Sequence, residues 1–251
     1  MATFVLVHGG FYGGWGWQRV ARLLRADGHE VYTPTLTGLG ERSHLLSRSI
    51  TLDTHIQDIV NVLVYEALRD VILVGHSYGG MVITGVADRL LDRIALLVYM
   101  DAHIGANNKS ALDVLAGGTG DTLDDMSETQ SDDDQWLLPP LPPDATGIVS
   151  PEDLAFIADK LTPLPLAALS HKLRLSHDIP RCLPHAYIRC TDRSGMLKYF
   201  PNDPLTPFYA QIAAEPGWTI RDIPSGHDPM ITHPRELAAT LSELAQSAVH
   251  A

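Results

Sequence analysis

Short apolar, β-branched runs alternate with amphipathic stretches along most of this chain. The runs fall at residues 4–7, 30–33, 71–74, 95–99, 186–189 and 218–223. Between them, residues 17–26, 54–67, 80–91, 207–214 and 235–248 carry helical spacing. Nearly continuous apolar strands interleaved with helices predict an α/β class, with a mostly parallel sheet covered by helices on both faces. Right-handed crossovers then bring the strand C-termini to one edge, where ligands bind.

The alternation stops between residues 103 and 180. That stretch holds an acidic segment at 121–134 and the prolines Pro139, Pro140, Pro142 and Pro143. Apolar helical patterns follow at 154–160 and 164–173. An irregular insertion after a strand reads as a cap over the site, with a plain surface excursion as the alternative. The division expected is a core of 1–102 and 181–251 with a cap or lid of 103–180. Asp132, Asp133 and Asp134 read as a solvated acidic loop, because no spaced ligand loop with a turn glycine accompanies them. No metal is expected.

Composition narrows the function. The 251 residues are 45% hydrophobic and 19% charged, enough for one domain with a large core. The formal net charge of -12 disfavours nucleic acid and anionic membrane surfaces. Cys182 and Cys190 read as reduced thiols. The opening run at 3–7 leads straight into His8, Gly9 and Gly10, with no leader pattern and no membrane-spanning run, so the expected location is cytoplasmic.

Gly75-His76-Ser77-Tyr78-Gly79 follows the apolar run at 71–74 and precedes a helix, the context a nucleophile elbow requires. So sharp a turn strains the nucleophile and leaves no room for side chains two residues to either side. Ser77 is then lifted above the sheet edge at a helix N-terminus, where developing negative charge is favoured. The oxyanion donors expected are the N–H groups of Gly10 and Tyr78. Among twelve histidines, only His227 lies in a loop after the last strand, as the general base should. His8 and His76 read as structural, and His233 and His250 as surface residues. The acid must accept the His227 Nδ1–H, and Asp101 and Asp192 are the candidates. Asp101 also reads as a strand-end cap. No G-x-G-x-x-G is present and no cofactor is expected.

These motifs resemble the α/β-hydrolase superfamily, in the branch of plant methyl-ester esterases and hydroxynitrile lyases. The similarity rests on residues 4–10, 13–15 and 71–77 and on the Gly226-His227 loop. Bacterial α/β hydrolases of mostly unassigned substrate are more similar still, through 33–43, 53–58 and 98–101. The resemblance implies an α/β-hydrolase fold with a small cap after Asp101. It favours Asp101 as the acid, since Tyr99-Met100-Asp101-Ala102 is similar to the segment by which some haloalkane dehalogenases supply theirs. In the plant pattern the carboxylate falls one residue after Asp192, where this chain has Arg193.

The activity expected is hydrolysis of a small carboxylic ester through an acyl-enzyme on Ser77. Lactone, thioester or amide hydrolysis by the same triad is the alternative. A hydroxynitrile lyase of the kind this chain resembles needs a polar side chain or a lysine where Gly9 and Asp228 stand. A non-catalytic binding protein would usually have lost the serine or the histidine. Phe11, Trp136, Leu137, Leu138 and Phe156 are the expected substrate contacts. The partner expected is a small-molecule ester, with a homodimer the one macromolecular association left open.

Overall fold

Eight strands form among the residues described by a computed structural model, which are 1–116, 135–203 and 205–249. They are β1 (Thr3–Val7), β2 (Glu30–Tyr32), β3 (Val71–His76), β4 (Ile94–Met100), β5 (Leu137–Leu138), β6 (Leu164–Pro165), β7 (His185–Cys190) and β8 (Trp218–Ile223). Six of them make one parallel sheet in the order β2-β1-β3-β4-β7-β8. β5 and β6 form a separate antiparallel pair. The principal helices are α1 (Gln18–Ala26), α2 (Leu52–Tyr65), α3 (Gly79–Arg89), α4 (Pro151–Ile157), α5 (Leu166–Ser170), α6 (Ser194–Tyr199), α7 (Thr206–Ala214) and α8 (Pro234–Val249).

The strands are apolar on both faces because both faces are covered. In β3, Val71 and Leu73 join one core cluster, and Ile72 and Val74 the other. α2 and α3 close the first side with Ile59, Leu63, Met81 and Val82. α1 and α8 close the second with Val20, Leu24, Leu237 and Leu241. Each such side chain, fully buried, contributes about 1.5–3 kcal/mol.

Local chemistry moves several expected boundaries. α2 begins at Leu52, not residue 54, because Thr51 and Thr54 form a reciprocal capping box. It stops at Tyr65, and Ala67 follows with a left-handed φ of 54°. α4 starts at Pro151 because the Ser150 hydroxyl accepts the Asp153 N–H at 3.1 Å and proline suits the first helical position. The pattern at 164–173 is not one helix. Leu164–Pro165 is the strand that pairs with Leu137–Leu138, and only Leu166–Ser170 is helical.

The acidic segment 121–134 and His250 lie outside the described residues. Cys182 and Cys190 are unpaired, and Cys190 is buried. No helix among the described residues is long and apolar enough to cross a membrane. The sheet sets up the site: Gly10, Ser77, Asp101 and His227 all follow the C-terminal ends of parallel strands, namely β1, β3, β4 and β8.

Candidate active site

The turn between β3 and α3 is tight. Ser77 sits in the left-handed region at φ 52°, a conformation that costs a non-glycine residue energy and persists only where its surroundings enforce it. The enforcement is visible in the backbone. The Ser77 N–H donates to the Met100 carbonyl at 3.2 Å, and the Ser77 carbonyl accepts from Gly80 and His103 at 3.0 and 3.2 Å. A Cβ on Gly75 would stand 2.6 Å from the Gly79 oxygen, the collision that the glycine spacing avoids.

His227 is buried, and its Nδ1 lies 2.5 Å from Asp101 Oδ2. Gly226 lets this loop pack directly on another stretch of backbone. A Cβ there would meet the Thr146 carbonyl at 2.5 Å. Asp101 is fully buried at the end of β4, with φ 44° and its N–H on the Ile188 carbonyl at 2.8 Å. Its carboxylate also accepts from Arg193 Nη1 at 2.8 Å, from the Cys190 N–H at 3.4 Å and from the Tyr209 hydroxyl. Arg193 forks onto Asp203 through Nε and Nη2 at 2.7 and 2.8 Å. Asp192 is differently placed. It is exposed, and it takes the N–H and hydroxyl of Ser194 at 3.0 and 2.6 Å in an Asx turn.

These contacts set the charges. Burial opposes ionisation of Asp101, but the His227 hydrogen bond and charge, then Arg193 and Tyr209, hold its carboxyl well below the usual range. Burial likewise opposes a charged His227. The hydrogen bond and charge of Asp101, with the charge of Asp228, nevertheless raise its pKa above 6.5. Two carboxylates and one guanidinium leave the Asp101–Arg193–Asp203 set with one net negative charge, which an imidazolium at His227 neutralises. The arrangement therefore favours proton uptake by His227.

A directional test follows. Were His227 a general base it would have to start neutral, so the acid limb of kcat/KM should lie above the ordinary histidine range. The positive charge of Arg193 lowers the His227 pKa. Arg193→Met should therefore move that limb to higher pH, while costing about 3–5 kcal/mol of stability by leaving buried carboxylates without their cation. A limb that stays in place or moves down would contradict this arrangement.

Gly10 and Tyr78 border the cavity that Ser77 and His227 line. Neither of their N–H groups has a backbone acceptor among the described residues outside regular helices and strands. His8 holds the Gly10 turn: its Nδ1 meets the Gly9 carbonyl at 2.7 Å, and its Nε2 accepts the Leu36 N–H at 3.0 Å. His55, which the motif reading did not single out, holds Tyr78. Its Nδ1 faces the Tyr78 hydroxyl at 2.9 Å and its Nε2 the Thr37 carbonyl at 3.0 Å. His76 is buried with Nε2 on the His227 carbonyl at 2.9 Å. Burial, then the charge of His227, push its pKa down to about 3. His233 is half-buried beside Thr232 rather than on the open surface. The ligand atoms of His76, His227 and Asp228 lie within 4.8 Å of one another, with His76 Nε2 engaged by the His227 carbonyl and the Asp228 carboxylate by the Tyr12 hydroxyl.

The cavity measures about 140 Å³. An apolar void of roughly 150 Å³ in another protein holds one benzene. Of the five expected substrate contacts, Phe11 and Leu138 line it. Leu137 does not, because successive residues of β5 face opposite ways. Trp136 stacks under the Arg48 guanidinium at 5.0 Å. Phe156 packs on Trp15 and Arg19, against the core cluster on the far side of the sheet. Met196, Phe200 and Leu205 also line the cavity. They come from the stretch between β7 and α7, where the apolar pattern gave no sign of a pocket wall.

Comparison with known proteins places this geometry in context. A family model described as "Alpha/beta hydrolase family" matches residues 4–240. The chain is 36% identical over 249 residues to the carbendazim hydrolyzing esterase of Nocardioides sp. (strain SG-4G), covering 97% of this chain and 100% of that protein. It is 27% identical over 260 residues to the putative methylesterase 13, chloroplastic, of Arabidopsis thaliana, covering 97% of this chain and 56% of that protein. The solved structure of an extracellular alpha/beta-hydrolase from a Paenibacillus species matches with a TM-score of 0.79 at 24% identity, over 98% and 99% of the two chains.

Proposed function

This chain belongs to the alpha/beta hydrolase family and has its fold, and from that premise we propose that it is a serine carboxylesterase acting on small, uncharged esters. One observation carries the proposal. Ser77, strained at its turn, shares a cavity with His227, and His227 is bonded to the buried Asp101. In this reading His227 takes the Ser77 proton as Oγ attacks the ester carbonyl. The Gly10 and Tyr78 amides hold the tetrahedral oxyanion. His227 then protonates the leaving alcohol, and water repeats the sequence on the acyl-enzyme. Asp101 serves as the acid, since Asp192 is engaged with Ser194 at the surface.

The substrate follows from the walls. Leu138, Leu164, Leu169 and Met196 line the cavity, and no Asp, Glu, Lys or Arg side chain does among the described residues. A charged acyl or alcohol group would lose its hydration there without a partner. The described residues of the 103–180 stretch act as the cap, since Leu138, Leu141 and Leu164 come from them. The relatives' printed names, an esterase and a methylesterase, agree with ester substrates.

A panel of p-nitrophenyl and methyl esters of graded acyl size tests this. Turnover should be highest on small neutral acyl groups and low on esters bearing a carboxylate. Leu138→Ala should raise kcat/KM for a bulky acyl group relative to acetate by roughly tenfold. An unchanged size ranking would reject the cap, and no turnover of any ester would reject the activity.

A further inference from the structure

We infer that His103 selects the substrate by donating a hydrogen bond, and that the preferred esters carry an uncharged acceptor atom, such as an ether or aza group, beside the scissile carbonyl. The inference rests on the esterase reading. In that mechanism the amides take the carbonyl oxygen and His227 takes the proton, so His103 has no assigned part.

Its position puts it on the wall of the cavity that Ser77 and His227 line. His103 follows Asp101 and Ala102, and its N–H donates to the Ser77 carbonyl at 3.2 Å. The residue lines the same cavity as Ser77 and is only 7% exposed. Nδ1 is sealed and has no hydrogen-bond partner among the described residues. That leaves Nε2 as the ring nitrogen able to meet a ligand.

The ring is neutral near pH 7. Burial, then the charge of His227, push its pKa down to about 4, against the opposing pull of Asp101. A neutral imidazole carries one N–H and one lone pair. A sealed N–H without an acceptor is more costly than a sealed lone pair, so the proton belongs on Nε2. Leu138, Leu164, Leu169 and Phe200, which line the same cavity, offer it no acceptor. An acceptor on the substrate would satisfy this donor in a dry site, whereas a methylene would leave it unmet.

The test compares p-nitrophenyl methoxyacetate with p-nitrophenyl butyrate, which differ by an oxygen in place of a methylene. The ratio of their kcat/KM values is measured in wild type, His103→Phe, His103→Leu and His103→Gln. Intrinsic reactivity cancels between enzymes. The ether-to-hydrocarbon ratio should fall about tenfold in the Phe and Leu variants, as for one neutral hydrogen bond. The Gln variant should recover part of it, because its amide N–H reaches toward the place of Nε2. A ratio that is the same in wild type and in the apolar variants overturns the inference. Fluorophosphonate labelling of each protein separates the two claims. Wild type that resists the label brings down the esterase reading itself, whereas labelled variants with an unchanged ratio bring down only the role of His103.

Discussion

Ser77→Ala is expected to lower kcat by about 10⁶-fold while leaving substrate affinity within a small factor, by analogy with the loss of a triad nucleophile in a well-studied protease. The size follows from the division of labour. Without Oγ, the ester must be attacked by water, and His227 has no positioned hydroxyl to activate. The Gly10 and Tyr78 amides would still hold an oxyanion, so some catalysis over water should persist. The protein should remain folded, because the backbone contacts of Ser77 to Met100, Gly80 and His103 that hold the turn do not involve its hydroxyl. Pre-steady-state release of p-nitrophenol should show a burst in wild type if deacylation is slow, and none in the variant. A variant that retains turnover above one-hundredth of wild type would exclude Ser77 as the nucleophile.

The parts of this site that were legible in the sequence are those encoded by neighbours in the chain. The glycines around Ser77 are spaced to relieve one turn, and the Gly75–Gly79 approach is that spacing realised in space. His227 stands out by its place after the last strand. Asp101 and Asp192 could not be separated by such local means, because each follows a strand and β4 and β7 are neighbours in the sheet. What separates them is the turn direction of the backbone at each end. Asp101 has φ 44° and faces inward, and Asp192 folds back onto Ser194. The support for Asp101 was invisible for a related reason. Arg193 and Tyr209 lie 92 and 108 residues away in sequence, and Arg193 marked only a mismatch with the plant pattern. Phe156 shows the reverse failure. Its helical pattern announced a buried face but not which neighbour would bury it, and Trp15 and Arg19 lie on the other side of the sheet from the cavity.

Asp101→Asn carries the second-largest expected effect. Turnover should fall by roughly 10⁴-fold, as when the buried acid of a serine protease triad becomes an amide. An amide can present its N–H₂ to Nδ1, which fixes the wrong tautomer and removes the charge that stabilises the imidazolium. The acid limb of kcat/KM should also move to lower pH, since the Asp101 hydrogen bond and charge raise the His227 pKa against burial. Arg193 keeps its fork onto Asp203, so the surrounding structure has a remaining anchor. Asp192→Asn should stay within about twofold of wild type, the usual range for an exposed position, and asparagine can make the same turn with Ser194. Circular dichroism and steady-state kinetics on the two variants, run side by side, would read this contrast. A crippled Asp192→Asn beside a near-normal Asp101→Asn would reverse the assignment.

The central claim is a covalent nucleophile at one residue, and intact-mass measurement after treatment with a fluorophosphonate addresses it most directly. Wild type should gain the mass of a single adduct, and peptide mapping should put it on the fragment that contains Ser77. The Ser77→Ala protein should gain nothing under the same conditions. An adduct that persists in that variant, or maps to a fragment without Ser77, would contradict the account.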